Sequence, residues 1–313
     1  MSSLAPSGLR LMVEVDVFLI GAPKAGTTWL GHALNQHPGI SLSYPKEPNI
    51  VASHKGTFLR VEDEPDWSKY EGCFRNEGLK LDASVHTFAC PMSPQRIRER
   101  CPDARFILCL REPVSRTVSH WNMIRSNGAD SENGTDWSDF QIAWSDERLR
   151  VDSMYGTSME RWLEHFDLKR FLVIDSSRLR EESLDVLRET EEFLHLDEAE
   201  YDLSPSRHSN SAATRRPMTG FGIFASRAFS LIPNIIKSPL VRYLHNRDLN
   251  IYNLPILSRR GSVFPLETSH YMTCGEELSN ELDLFESLTG FETVAWKDEI
   301  RRRLDVQTGV SEH

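Results

Sequence analysis

Apolar residues fall along the chain in short runs, with helically spaced stretches between them. Five runs read as strands: "VDVFLI" at 15–20, "ISLS" at 40–43, "LKLDA" at 79–83, "RFILCL" at 105–110 and "RFLVID" at 170–175. Several are apolar on both faces, as expected for a parallel sheet covered on both sides. The intervening stretches carry helix signals. "TTWLGHALNQ" stops at His37-Pro38-Gly39, where proline cannot continue a helix. "SPQRIRERCP" opens on Ser-Pro and ends before Pro102. "SLDVLRETEEFLHL" sets Leu184, Leu187, Phe193 and Leu194 at near-helical spacing, with its acids elsewhere. "GEELSNELDLFESLTGFETVAW" predicts an amphipathic helix ending at Gly290. The alternation predicts a single α/β domain, in which helices flank a central parallel sheet of about five strands as an α/β/α sandwich of three layers.

The segment at 204–265 breaks this rhythm. Its core, "FGIFASRAFSLIPNIIKSPLVRYLHN", is apolar and basic together. It reads as an inserted helical subdomain packing an apolar stripe on the core. A second reading makes it a lid over an acceptor site, or a peripheral membrane contact with anionic lipid through 220–250. Charge sharpens the contrast: 203–265 holds nine Lys/Arg against Asp248 alone, although the chain carries -10 overall. Net acidity disfavours nucleic acid, whose phosphates need a basic face. The 313 residues, 39% hydrophobic and 26% charged, suit a globular chain with ample core. Cys73, Cys90, Cys101, Cys109 and Cys274 show no metal-ligand spacing and read as thiols in a reducing compartment. "LMVEVDVFLI" is interrupted by Glu14 and Asp16, so it reads as a strand rather than a signal or anchor, and the expected location is cytoplasmic.

The candidate chemistry begins at "GAPKAGTTWL", residues 21–30. A strand, a turn of small residues and a helix present unsatisfied N–H groups to an anion, reinforced by the helix dipole. Gly21 and Gly26 permit close backbone approach, and Thr27 and Thr28 add hydroxyls. An ATP-binding P-loop places Lys directly after its second glycine; here that slot is Thr27, and Lys24 lies inside the loop. The spacing therefore predicts a ligand with one phosphate at this end and no metal shielding a triphosphate. A glycine-rich turn without any ligand is the plainer alternative.

"GAPKAGTTWL" resembles the 5′-phosphosulfate loop of sulfotransferases that use 3′-phosphoadenosine 5′-phosphosulfate (PAPS), with Lys24 two residues before Gly26-Thr27-Thr28. "LREPVSRTVSHW" resembles the family's second hallmark, a strand-terminal Arg (Arg111) with a Ser (Ser119) eight residues on. The resemblance implies a P-loop-type fold. It also implies that Lys24, Ala25, Gly26, Thr27, Thr28 and Trp29 cradle the 5′ end of the nucleotide. Arg111 and Ser119 would then hold its 3′-phosphate, an anion suited to an Arg fork. "YPKEPNIVAS" is similar to a segment of the heparan sulfate sulfotransferase-like branch and its bacterial relatives, which implies Glu47 as catalytic base. Ile50-Val51 replace the usual aromatics there. "RRGSVFP" matches the branch's nucleotide-covering turn only at Arg260 and Gly261, and "LKLDASVHT" departs from its acceptor-side segment at Ala83 and Val85.

The implied activity is transfer of a sulfuryl group from PAPS to a hydroxyl or amine of a carbohydrate, glycolipid or small-molecule acceptor. The product nucleotide would be 3′-phosphoadenosine 5′-phosphate (PAP), and no metal is called for. Glu47 would take the acceptor proton, while Lys24 neutralises charge on the leaving oxygen. His54, His86 and His120 also fall near the predicted sheet edge and compete for the role of base. Asp82 serves either the acceptor or a turn. Two other classes remain open: a P-loop nucleotide kinase, and a non-catalytic nucleotide-binding module of the same fold.

Overall fold

A computed structural model describes residues 15–203 and 264–308. The elements that position the site are β1 (Val17–Gly21), α1 (Thr27–Leu34), β2 (Ile40–Leu42), β3 (His54–Lys55), β4 (Leu59–Arg60) and β5 (Leu79–Asp82). They continue with α2 (Ser93–Arg100), β6 (Arg105–Leu110), α3 (Pro113–Asn127), α4 (Tyr155–Leu163), β7 (Phe171–Asp175) and α5 (Arg178–Glu181). The last are α6 (Ser183–Leu194), α7 (Thr268–Thr289) and α8 (Val294–Thr308).

All five predicted strands form one parallel sheet in the order β2-β5-β1-β6-β7. β1 is buried at every position because it is central, pairing Phe18 with Asp82 on one side and Phe106 on the other. The chain winds outward from β1 to β2 on one side and to β6 and β7 on the other. The carboxyl edge of β1 is therefore the switch point where α/β folds open a crevice. Beneath it, Phe106 packs against Trp162, Phe166 and Phe171 with ring centroids 4.8, 4.7 and 4.8 Å apart.

The helices agree with the apolar spacing apart from two points. In α6 the buried stripe is Val186, Leu187, Thr190, Glu191 and Leu194, while Leu184 is exposed. Apolar character alone misplaced Leu184, which falls at the edge of the stripe in the first turn of α6, while Thr190 and Glu191 lie within it. Glu191 is tolerated there because its carboxylate accepts hydrogen bonds from Arg188, the Ala199 N–H and the Tyr201 hydroxyl. The carboxyl-terminal helix stops at Gly290, as predicted, with φ 70°, and a further helix, α8, follows it. α7 lies close along α4, where a Cβ on Gly156 would come within 2.6 Å of the Glu281 carbonyl.

The antiparallel pair β3–β4 has strands too short to carry a sequence pattern. All five cysteines are buried free thiols. Among the described residues, no helix is long and apolar enough to cross a membrane. The helical insertion expected at 204–265 falls almost wholly outside the described residues, as do the 220–250 segment, Arg260 and Gly261. The chain re-enters at Phe264, whose backbone N–H and C=O both pair with the Asn122 side chain of α3 at 2.9 Å.

Candidate active site

β1 ends at Gly21, and the backbone reverses through Pro23 and Lys24 to start α1 at Thr27. Lys24 has φ 71° and Gly26 φ 83°, both left-handed. Gly26 suits that geometry because it lacks a Cβ; one added here would meet Leu179 Cδ1 of α5 at 2.6 Å. No side chain caps α1, so its first N–H groups, at the positive end of the helix dipole, are not spent on a side chain. Ala25 and Thr27 are buried, Gly26 and Thr28 are exposed, and Lys24 and Trp29 are half-buried. Lys24 Nζ lies 3.8 Å from Met123 Sδ, so it leans from the loop toward α3, the helix that follows Arg111.

Arg111 follows β6 directly, and Pro113 opens α3, as proline does where its missing N–H costs nothing. Glu112 caps this helix, accepting from Val114 N at 3.0 Å and Ser115 N at 2.7 Å. Arg111 instead donates to Ser115 Oγ at 2.5 Å. Burial, with Arg180 nearby, lowers the Arg111 pKa. Ser119 lies one turn beyond Ser115, so Arg111, Ser115 and Ser119 share one half-buried face. Ser115 was missed in the sequence. Its spacing of four from both partners was the available signal.

Glu47 lies in the loop after β2, at the carboxyl edge. Its side chain is 35% exposed and accepts from Lys46 Nζ at 2.9 Å. The loop is tied to the segment after β5: Asn49 N donates to Ser84 Oγ at 3.0 Å, and Lys46 Nζ reaches the Ala83 carbonyl at 3.4 Å. Lys55 of β3 holds the same loop, donating to the Asn49 carbonyl and to the Ile50 carbonyl at 2.9 Å. Asp82 ends β5, and its side chain is engaged within the protein: it is 2% exposed and accepts from the Tyr70 hydroxyl at 2.5 Å and Ser84 N at 2.8 Å. Burial raises its pKa.

The three histidines are all buried, but differently partnered. Burial, aided by Arg60, lowers the His54 pKa to about 4. Its Nδ1 has no hydrogen-bond partner. His120 is fully buried in α3, and burial together with Arg116 holds its pKa well below the usual histidine value. It shares a 2.8 Å hydrogen bond with Thr57 Oγ1 and lies 3.2 Å from Arg116. An enclosed ring so engaged does not reach an acceptor. His86 differs, since its Nδ1 lies 3.2 Å from Asp152 Oδ1. Asp152 is 2% exposed, and although burial opposes ionisation, His86, His120 and Arg116 together hold its carboxyl well below the usual range.

The family model described as "Sulfotransferase domain" matches residues 14–215. A mouse protein, heparan sulfate glucosamine 3-O-sulfotransferase 5, is 25% identical over 193 residues, covering 57% of this chain and 52% of that one. The bifunctional heparan sulfate N-deacetylase/N-sulfotransferase 1 of Xenopus tropicalis is 28% identical over 195 residues, covering 57% and 22%. The chain thus matches about half the length of the first relative and a smaller part of the second. A solved sulfotransferase from Alicyclobacillus acidocaldarius shares the fold at TM-score 0.57 and 18% identity, over 90% of this chain and 98% of that one. The matched region contains the Lys24 loop, Glu47, Arg111 and Ser119, and the chain belongs to the sulfotransferase domain family.

Proposed function

We propose that this protein transfers a sulfuryl group from PAPS to a hydroxyl or amine of an acceptor. The observation that carries this reading is the pairing of two anion sites at the carboxyl edge. One is the uncapped start of α1 with Lys24; the other is Arg111, just before α3, with Ser115 and Ser119 of that helix. Two separate phosphates on one nucleotide fit two such sites, whereas a triphosphate with its metal fits one continuous loop with lysine at the helix start. That difference counts against a nucleotide kinase.

PAPS supplies an activated sulfuryl group whose departure leaves a phosphate anion. The acceptor oxygen or nitrogen forms a bond to sulfur as the bridging bond to the 5′-phosphate breaks. The chain's own work is alignment and charge stabilisation. Glu47 accepts the acceptor's proton. Lys24 and the first N–H groups of α1 stabilise the negative charge left on the 5′-phosphate. Arg111, oriented by Ser115, fixes the ribose 3′-phosphate and so the angle of the nucleotide.

The curated relatives are named for heparan sulfate, which supports a carbohydrate acceptor. The basic and apolar composition of 203–265 favours an acceptor with an apolar part, such as a glycolipid. Assays of water-soluble sugars against amphiphilic acceptors in the full chain and a 220–250 deletion test this preference. Unchanged activity of the deletion on amphiphiles would sink it.

One observation supports a second base. Asp152 orients His86 through Nδ1, leaving Nε2 as the other proton site on that ring. Single-turnover rates of Glu47→Gln and His86→Asn decide between them: the base is the residue whose loss removes the pH-dependent limb of kcat. A biological activity left intact in both Lys24→Ala and Glu47→Gln would instead favour a non-catalytic module.

A further inference from the structure

Under the phosphate loop lies a charged side chain that the proposed chemistry does not use. Arg116, in the second turn of α3, is fully buried. A buried guanidinium is costly unless its N–H groups are satisfied, and here they are spent on specific partners. Nε donates to Ser153 Oγ at 2.7 Å, while Nη2 reaches Thr117 Oγ1 at 3.3 Å and the Leu149 carbonyl at 3.4 Å. Nη1 reaches the Pro23 carbonyl at 3.4 Å and His120 Nδ1 at 3.2 Å. Asp152 supplies the opposing charge.

Two of these contacts lead out of the network. The Pro23 carbonyl belongs to the peptide that begins Lys24, a non-glycine residue held at φ 71°, where L side chains persist only if their surroundings fix them. On the other side, an arginine only donates, so His120 Nδ1 must accept from it. His120 Nε2 therefore carries the hydrogen and donates to Thr57 Oγ1, 2.8 Å away. Thr57 sits in the turn between β3 and β4, directly after the strand whose Lys55 holds the Asn49 and Ile50 carbonyls of the Glu47 loop.

We propose that Arg116 is a positioning residue: it holds the left-handed turn at Lys24 from below and, through His120 and Thr57, joins the phosphate loop mechanically to the hairpin that supports the Glu47 loop. Donor-side and acceptor-side loops are then one linked unit. A change at Thr57, outside the nucleotide site, is felt at Lys24. The inference rests on the nucleotide reading only for its binding readout; the mechanical link is independent of it.

The test uses the full chain with Thr57→Val, which removes the hydroxyl at similar volume, and Arg116→Gln. Amide hydrogen exchange of residues 22–28 is measured without nucleotide, and PAP affinity by calorimetry. The link predicts faster exchange of 22–28 in both variants. It also predicts weaker PAP binding, by about fivefold in Thr57→Val, the size of one neutral hydrogen bond, and at least about tenfold in Arg116→Gln, where a charged donor is lost. A purely structural role predicts lower melting temperatures with loop exchange and PAP affinity unchanged, and that result would overturn the proposal. Should Arg116→Gln fail to fold, Thr57→Val decides alone. Failure of the wild-type chain to bind PAP would remove the nucleotide reading, while loop exchange would still decide the link.

Discussion

At the scale of single residues, the proposed reaction divides rate and affinity between Lys24 and Arg111. Lys24→Ala removes a donor aimed at charge that grows as the nucleotide leaves, so it is expected to lower kcat by about 100- to 1,000-fold. PAP affinity should fall much less, and single-turnover rates beside calorimetry separate the two. Arg111→Ala removes a charge-assisted contact and should weaken PAP by at least about tenfold. Ser115→Ala should act in the same direction but more weakly, because Ser115 orients Arg111 through their 2.5 Å hydrogen bond. Lys24, Glu47, Arg111 and Ser119 stand out in the sequence because each lies in a short motif that follows a predicted strand. Arg116 and Asp152 were not: a lone charge in a helix or turn reads as solvated, and only the packing shows both enclosed.

At the scale of elements, the strand–loop–helix unit depends on Gly26. An alanine there would hold a Cβ in the left-handed region and press it on Leu179. Gly26→Ala should destabilise the protein by at least about 1–2 kcal/mol, the left-handed penalty alone. Denaturant titration of Gly26→Ala alone and with Leu179→Ala measures the two parts, since relief from Leu179→Ala can remove only the steric share. The five strands were visible because both-face burial leaves unbroken apolar runs, as in "RFILCL". The β3–β4 pair was not, since two-residue strands have no period. Leu184 shows the converse error: an apolar residue at plausible spacing is left exposed at the edge of the buried stripe, in the first turn of α6.

At the scale of the whole molecule, buried titratable groups set opposing pH dependences of stability. His54, with pKa lowered to about 4, and His120, lowered further, stay neutral in the folded chain although the unfolded chain protonates them near 6.5. The folded state binds fewer protons, so this contribution is complete above pH about 6.5 and is lost as pH falls through 4. Glu112 runs the other way. Burial outweighs its two N–H donors and raises its pKa from 4.5 to about 7. The folded state binds more protons there, so this contribution is complete below pH about 4.5 and is lost as pH rises through 7. Urea midpoints against pH should show His54→Leu flattening the acid limb and Glu112→Gln the neutral one. The parallel α/β architecture followed from strand–helix alternation, and the sulfotransferase family from the displaced lysine read with Arg111. The acceptor did not follow, because specificity resides in loops whose residues depart from the family pattern, Ile50 and Val51 among them.

The central claim is that the two anion sites flanking the edge of β1 hold one nucleotide through two separate phosphates. Calorimetry with PAP against ADP plus Mg²⁺, on the wild-type chain and Arg111→Ala, tests it most directly. The prediction is PAP binding at about micromolar Kd, near 8 kcal/mol, weakened at least about tenfold in Arg111→Ala, with ADP and Mg²⁺ binding more weakly than PAP. Tighter binding of ADP with Mg²⁺, or PAP binding indifferent to Arg111, would contradict it.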